Sequence, residues 1–264
     1  MNSSFAALYC IYHDDIWLEH SVRSIYASVG GIFFFLNTRP WHGENTDNRE
    51  TIECLNRLAD PDNKIRIIQD TWADEAGERN YAAAVAQLSG FTYGMIVDAD
   101  EIYDRAALDA MIAHAAADPD VNVWHMEWDI YWKSLEFVID PPEPYHPPVF
   151  IRLGTCGFVE ARNPSGAKHS LIPRAVGFCH HMSYARTDKL IKRKLASFSH
   201  ATQILPGWFE HVWQAWDGNH ELENLHPVQP TQYRRAIPRP PTQLPEAVRD
   251  LASRNPSFPQ GTDR

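Results

Sequence analysis

Four short apolar runs, each followed by a helical pattern, set the rhythm of the first half of the chain. Phe5 to Tyr12 reads as a strand, after which Leu18, Val22, Ile25 and Val29 recur at helical spacing until Gly30-Gly31. Ile32 to Leu36 is a second strand ending at Asn37, and a polar loop from Thr38 to Asn48 leads into a short helix over Thr51 to Leu58. Lys64 to Gln69 is a third strand, ending at Asp70. Asp74 to Asn80 then opens a helix with an apolar stripe of Tyr81, Val85 and Leu88. The fourth run, Met95 to Val97 behind Tyr93-Gly94, fits a strand buried on both faces. It ends at Asp98-Ala99-Asp100-Glu101, and Asp104 caps a helix marked by Leu108, Met111, Ile112 and Ala115.

Such an alternation predicts an α/β fold, with a mixed, mostly parallel sheet flanked by helices. In these sheets ligands gather at the carboxyl ends of the strands. Tyr12, Asn37, Asp70 and Asp98 all stand at predicted ends of that kind.

The second half has a different texture. Val121 to Trp132 alternates, with Trp124, Met126, Trp128, Ile130 and Trp132 on one face and His125, Glu127, Asp129 and Tyr131 on the other. The pattern makes this one strand whose polar face is a cleft wall. Pro141 to Pro148 is a loop suited to covering that cleft, and Pro148 to Leu153 returns as a strand. Gly154 to Gly166 is rich in turns and carries Glu160 and Arg162. His180 and His181 are adjacent on an extended segment, so they point to opposite sides. Lys189, Lys192, Arg193 and Lys194 form a basic helix with Ile191, Leu195 and Phe198 on its apolar side. Gly207 to Trp216 is a short aromatic helix. From Leu225 onward proline is frequent and periodicity vanishes, which divides the chain into a domain over 1–224 and a tail over 225–264, disordered from about Ser253.

Composition narrows the function. A net charge of −10 argues against a broad electrostatic grip on nucleic acid, leaving the basic helix as the one dense positive patch. No apolar run reaches transmembrane length and no leader pattern is visible, so stable membrane insertion is not expected. The four cysteines are scattered, which suits free thiols in a reducing compartment and a cytoplasmic location.

The chemistry concentrates at Asp98 to Glu101, three carboxylates in four residues at the tip of a buried strand. Like charges this close repel, and desolvating them is costly, so a cation is their natural partner. Hard divalent cations such as Mg²⁺ or Mn²⁺ prefer oxygen ligands and often share them with phosphate.

At this point the chain resembles nucleotide-sugar glycosyltransferases of the GT-A fold, above all the family 2 type. Asp98-Ala99-Asp100-Glu101 is similar to that family's DxD motif, and Glu78-Arg79-Asn80-Tyr81-Ala82 to the Arg-Asn helix start that precedes it. His180-His181-Met182-Ser183-Tyr184 stands where many such enzymes supply a metal-binding histidine. The family's usual Asp after the second strand is replaced here by Asn37, with Glu44 and Asp47 in the following loop as substitutes.

The resemblance implies a metal-dependent glycosyltransferase acting on a UDP- or GDP-sugar. It implies Mn²⁺ or Mg²⁺ on Asp98, Asp100 and His181, and a donor site built from Tyr12, Asn37, Asp70, Arg79 and Asp98. An inverting reaction needs a carboxylate base for the acceptor, and Asp129, Glu127 and Glu160 are the candidates, with Asp129 first by alternation. A glycan, lipid, small molecule or modified nucleic acid is open as acceptor. A nucleotidyltransferase is the rival enzyme, but Tyr12-His13-Asp14-Asp15 lacks the Gly-rich phosphate loop such enzymes carry. A non-catalytic nucleotide-sugar-binding module is the other alternative.

Overall fold

The computed structural model describes residues 4–13, 16–41, 43, 45, 47–165, 168–197, 201–218 and 222–254. Asp14, Asp15, Glu44 and Phe198, named above, lie outside them.

The expected alternation is present. Strands β1 (Phe5–Ile11), β2 (Gly31–Asn37), β3 (Ile65–Asp70) and β4 (Tyr93–Val97) are parallel neighbours, and helices α1 (Leu18–Ile25), α2 (Arg49–Arg57) and α3 (Glu75–Leu88) connect them. Every residue of β1, β2 and β4 is buried, as continuous apolar runs covered on both faces should be. Alternate residues of β1 divide between two cores. Ala7, Tyr9 and Ile11 pack with Leu18, Val22 and Ile25 of α1, while Ala6, Leu8 and Cys10 pack with Ala82 and Ala86 of α3. Gly94 in β4 lets its neighbours close in, since a Cβ there would lie 2.9 Å from the Leu8 side chain.

After β4 come the two-residue strand β5 (Glu101–Ile102) and helix α4 (Arg105–Ala117), whose Asp104 cap accepts from the backbone N–H groups of Ala106 and Ala107. The alternating run beyond is not one strand. It divides into β6 (Val123–His125), in the main sheet, and β7 (Trp128–Trp132), in a second sheet. Its apolar face is as expected: Trp124, Met126, Trp128, Ile130 and Trp132 all enter the same core. Its polar face is not a single wall, because the chain changes sheets at Met126-Glu127.

Strands β8 (Phe137–Asp140), β9 (Pro148–Arg152), β10 (Gly157–Glu160), β11 (Asn163–Ser165), β12 (His169–Leu171) and β13 (Cys179–Tyr184) follow, then helix α5 (Asp188–Ser197), strand β14 (Arg235–Pro238) and helix α6 (Glu246–Arg254). The main sheet has the order β12-β6-β9-β4-β1-β2-β3, and β9 alone runs against the rest. The second sheet has the order β14-β8-β7-β13-β5. The result is the mixed, mostly parallel α/β sheet flanked by helices that the sequence predicts. Trp208, Trp213 and Trp216 of the aromatic segment pack around Trp132.

The described residues from Leu225 on are integrated into this body. Strand β14 pairs with β8, and Arg239 just beyond it meets the buried carboxylate of Asp129. Leu244, Ala247 and Val248 form a third core with Trp17, Ile102 and Tyr131. Ser253 and Arg254 close α6; the rest of the segment expected to be disordered lies outside the described residues. No helix among the described residues is long and apolar enough to cross a membrane.

Candidate functional site

Where β1, β2 and β4 end, a cleft of about 600 Å³ opens. Asp98, Ala99 and Asp100, directly after β4, line it, as do Tyr12 after β1 and Asn37 to Trp41 after β2, apart from Thr38. Trp128, Glu143, Tyr145, His181 and tail residues between His226 and Tyr233 also line it.

The carboxylates are matched by cations of the protein itself. Asp98 accepts from Arg79 Nη2 at 3.1 Å and from Arg162 Nη1 at 2.9 Å. Burial alone would raise the pKa of Asp98, but the two guanidinium groups outweigh it and hold the value down to about 2. Asp100 accepts from Arg186 at 2.9 Å and from Lys194 at 3.0 Å on one oxygen, while its other oxygen faces His181 Nε2 at 3.2 Å. Burial again opposes ionisation, and Lys194, His181 and Arg186 together hold Asp100 well below the usual carboxylate range. Glu101 is fully buried; Arg162 forks onto it, and Tyr103 donates to it at 2.9 Å.

Local sequence explains how these groups meet. Arg79 is fixed by Glu75 one turn earlier in α3, at 2.7 Å. Asn80 clamps the β10–β11 hairpin with a reciprocal pair of 2.8 Å bonds to the backbone of Phe158. That hairpin carries both Glu160 and Arg162, so the Arg-Asn pair binds Asp98 directly and also positions its second cation. His181 lies opposite Glu101 in the β13–β5 pairing and stacks on Trp128, with ring centroids 4.4 Å apart. His180 points the other way, to the Tyr131 hydroxyl at 2.9 Å, and burial with the nearby Arg239 lowers its pKa to about 4.

Two atoms held by one octahedral cation at about 2.1 Å stand about 3 Å apart, so Asp100 Oδ1 and His181 Nε2 have the right separation to share one. No set of three or more His, Cys, Asp or Glu side chains gathers for this among the described residues. Mg²⁺ commonly binds through one or two carboxylates, with phosphate and water completing its shell, and Asp100 is the one carboxylate this pair offers. Asp98 does not belong to that set, because both of its oxygens are taken by guanidinium groups.

Other expected site residues fall elsewhere. Asn37 lines the cleft, but its amide is spent on Trp72 and Glu78 and its carbonyl oxygen accepts from the Trp72 and Arg39 backbones. It therefore ties the ends of β2 and β3 together and has no hydrogen bond left for a base. Asp70 ends the edge strand β3 and accepts from the Thr71 backbone; it and Asp47, paired with Arg49, are not among the cleft-lining residues. Asp129 and Glu127 are corrected too. The switch of sheets turns them to Arg174, at 2.7 and 3.2 Å, and Asp129 also to Arg239, outside the cleft, while Trp128 lines it. Glu160 does line the cleft and is exposed.

The basic helix is not an open patch. Lys194 enters the site, Arg193 pairs with Glu50 and Lys192 lies over the Phe209 ring. Arg186, just before that helix, and Glu143, inside the Pro-rich loop, are cleft residues that sequence reasoning missed. Glu143 accepts from Trp128 Nε1 at 2.9 Å, and burial raises its pKa above the usual value.

Behind Asn37 lies Glu78, fully buried, accepting from Trp41 Nε1 at 2.8 Å, with Oε1 unpartnered among the described residues. Burial, only partly offset by Trp41 and Arg79, raises its pKa from 4.5 to about 7. A carboxyl whose pKa rises on folding contributes stability that is complete below about pH 4.5 and is lost as the pH passes through about 7. Wild type is thus expected to lose stability between pH 5 and 8 by about 3 kcal/mol through this group, at about 1.4 kcal/mol per pH unit. Glu78→Gln should remove that part of the slope and be the more stable protein at pH 8; urea melts at both pH values check it, and parallel slopes would refute it.

No protein-family model matches this sequence, and no curated protein does. Among solved structures, the chain is similar to a crystal structure of S. aureus TarS 1-349, with 12% identity and a TM-score of 0.42 over 75% of this chain and 67% of that one. It is also similar to S. aureus TarS 1-349 in complex with UDP, with 14% identity and a TM-score of 0.34 over 48% of this chain and 36% of that one.

Proposed function

We propose that this protein is a glycosyltransferase that moves a sugar from a nucleotide-diphosphate donor to an acceptor hydroxyl. The observation that carries the reading is the convergence of Arg79, Arg162, Arg186 and Lys194 with Asp98, Asp100 and His181 in one cleft at the carboxyl edge of the sheet. When a glycosyl–diphosphate bond breaks, negative charge grows on the departing diphosphate. Fixed positive groups placed beforehand stabilise that charge without having to reorganise. Lys194 and Arg186 are held by Asp100, and Arg79 and Arg162 by Asp98, so the two aspartates act as templates for the cationic groups. Tyr12 and Trp41, also in the cleft lining, offer ring faces for a nucleobase.

Asp100 and His181 would hold Mn²⁺ or Mg²⁺, which when bound supplies Lewis-acid stabilisation of the diphosphate. Trp128 holds the His181 ring in its orientation by stacking.

Nucleotide binding tests this reading before any acceptor is known. With UDP or GDP and Mn²⁺ present at about a hundred times its dissociation constant, a folded-state ligand adds about 2.7 kcal/mol. For a chain of this size, the melting temperature should rise by about 5 °C or more. No shift with any nucleotide diphosphate would sink the proposal.

A further inference from the structure

Among the described residues, five carboxylates line the cleft: Glu75, Asp98, Asp100, Glu143 and Glu160. Three of them are committed to cations, Glu75 to Arg79, Asp98 to Arg79 and Arg162, and Asp100 to Arg186 and Lys194. A carboxylate held this way is a poor proton acceptor, because the cation stabilises its ionised form. Glu160 is exposed on a hairpin and solvated. Glu143 differs from all four. Its residue is 9% exposed, and its hydrogen bond is to a neutral indole, Trp128 Nε1, through Oε2. No hydrogen bond or ion pair to Oε1 occurs among the described residues.

Its placement fits the reacting centre. Trp128 links Glu143 to His181 by stacking, and His181 meets Asp100. Glu143 is therefore linked through Trp128 to His181 and Asp100, the pair that would face the diphosphate. Proline at 142 and 144 restricts its backbone, and the Trp128 hydrogen bond fixes the carboxylate. Gln229, Gln232 and Tyr233 of the tail line the same cleft, giving it polar and aromatic groups suited to a hydroxylated acceptor.

We infer that Glu143 is the general base of the transfer, a role that rests on the glycosyltransferase reading. The acceptor oxygen bonds to the anomeric carbon while its proton passes to the Glu143 carboxylate. The bond from that carbon to the diphosphate oxygen breaks, and its electron pair leaves with the nucleoside diphosphate. Attack opposite the leaving group inverts the anomeric centre.

Water can stand in for the acceptor, so the test needs only donors. Wild type and Glu143→Gln are incubated with a panel of UDP- and GDP-sugars, and nucleotide release is followed; UDP- and GDP-induced thermal shifts report folding and donor-site binding. Glutamine keeps the shape and can still accept the Trp128 hydrogen bond. The expected result is an unchanged thermal shift with release slowed by about 10²-fold or more. Equal release by Glu143→Gln and wild type overturns the inference and leaves the enzyme reading standing. Loss of nucleotide binding along with turnover also overturns it, marking Glu143 as structural. No release by wild type from any donor overturns both.

Discussion

Replacing Asp100 with alanine should reduce nucleotide release from a sugar nucleotide by at least about 10³-fold while leaving a folded protein. Loss of a single preorganised donor to a developing negative charge costs about 10²–10³-fold. Asp100 organises three positive or donor groups at once, Arg186, Lys194 and His181, within 3.2 Å. Without it, Arg186 and Lys194 repel each other, and their side chains lose the geometry a diphosphate needs. His181 also loses the partner with which it would share a divalent cation. The cleft admits water and anions to the freed cations, so the cost falls on turnover more than on folding. Asp100→Asn keeps the size but not the charge and should fall between. Initial rates of nucleotide release decide the matter: Asp100→Ala within tenfold of wild type would show that this carboxylate only fastens the chain.

Arg162→Ala should act in the opposite way, as the more damaging change to stability. Its guanidinium reaches Asp98 and the fully buried Glu101, and it donates to the backbone carbonyls of Ile96 and Pro148 at about 3 Å. Removing it leaves Glu101 without its countercharge at the centre of the fold. Breaking a buried pair from one side costs about 3–5 kcal/mol, which lowers the melting temperature by something on the order of 10 °C. Burial raises the Glu101 pKa even with Arg162 present, so the variant should be most impaired at high pH, where proton uptake cannot relieve the charge. Arg162→Lys should recover only part of the loss, since a single ammonium cannot fork onto both carboxylates. Thermal melts at pH 6 and pH 8 measure this; an unchanged midpoint would mean that Glu101 finds another partner.

The two variants mark what could be read in the sequence and what could not. Strands buried on both faces announce themselves as apolar runs, so β1, β2 and β4 and their polar ends at Tyr12 and Asp98 were legible. So were Arg79 as a residue of the cleft, though not its pairing with Asp98, and the need for His180 and His181 to face apart. The other cations of the site, Arg162, Arg186 and Lys194, were not. Arg162 stands 64 residues from Asp98 and Lys194 stands 94 from Asp100, and nothing local to either residue marks its partner. Asp129 shows the limit of alternation. Period two assigns a face, but it does not reveal that the chain leaves one sheet for another at Met126-Glu127, and with that turn the carboxylate passes from the cleft to Arg174 and Arg239. Asn37 shows the limit of position: it stands at the expected strand end, yet its neighbours Trp72 and Glu78 consume its hydrogen bonds. Glu143 was hidden by its setting, since a proline-rich loop reads as a cover and not as a source of chemistry.

The most direct test of the central claim is nucleotide release by the wild-type protein from a panel of UDP- and GDP-sugars, with Mn²⁺, with Mg²⁺ and with EDTA. Release from at least one donor in the presence of a divalent cation, and its loss on chelation, is the expected result. A folded protein that releases nucleotide from none of the donors, with either metal, would contradict it.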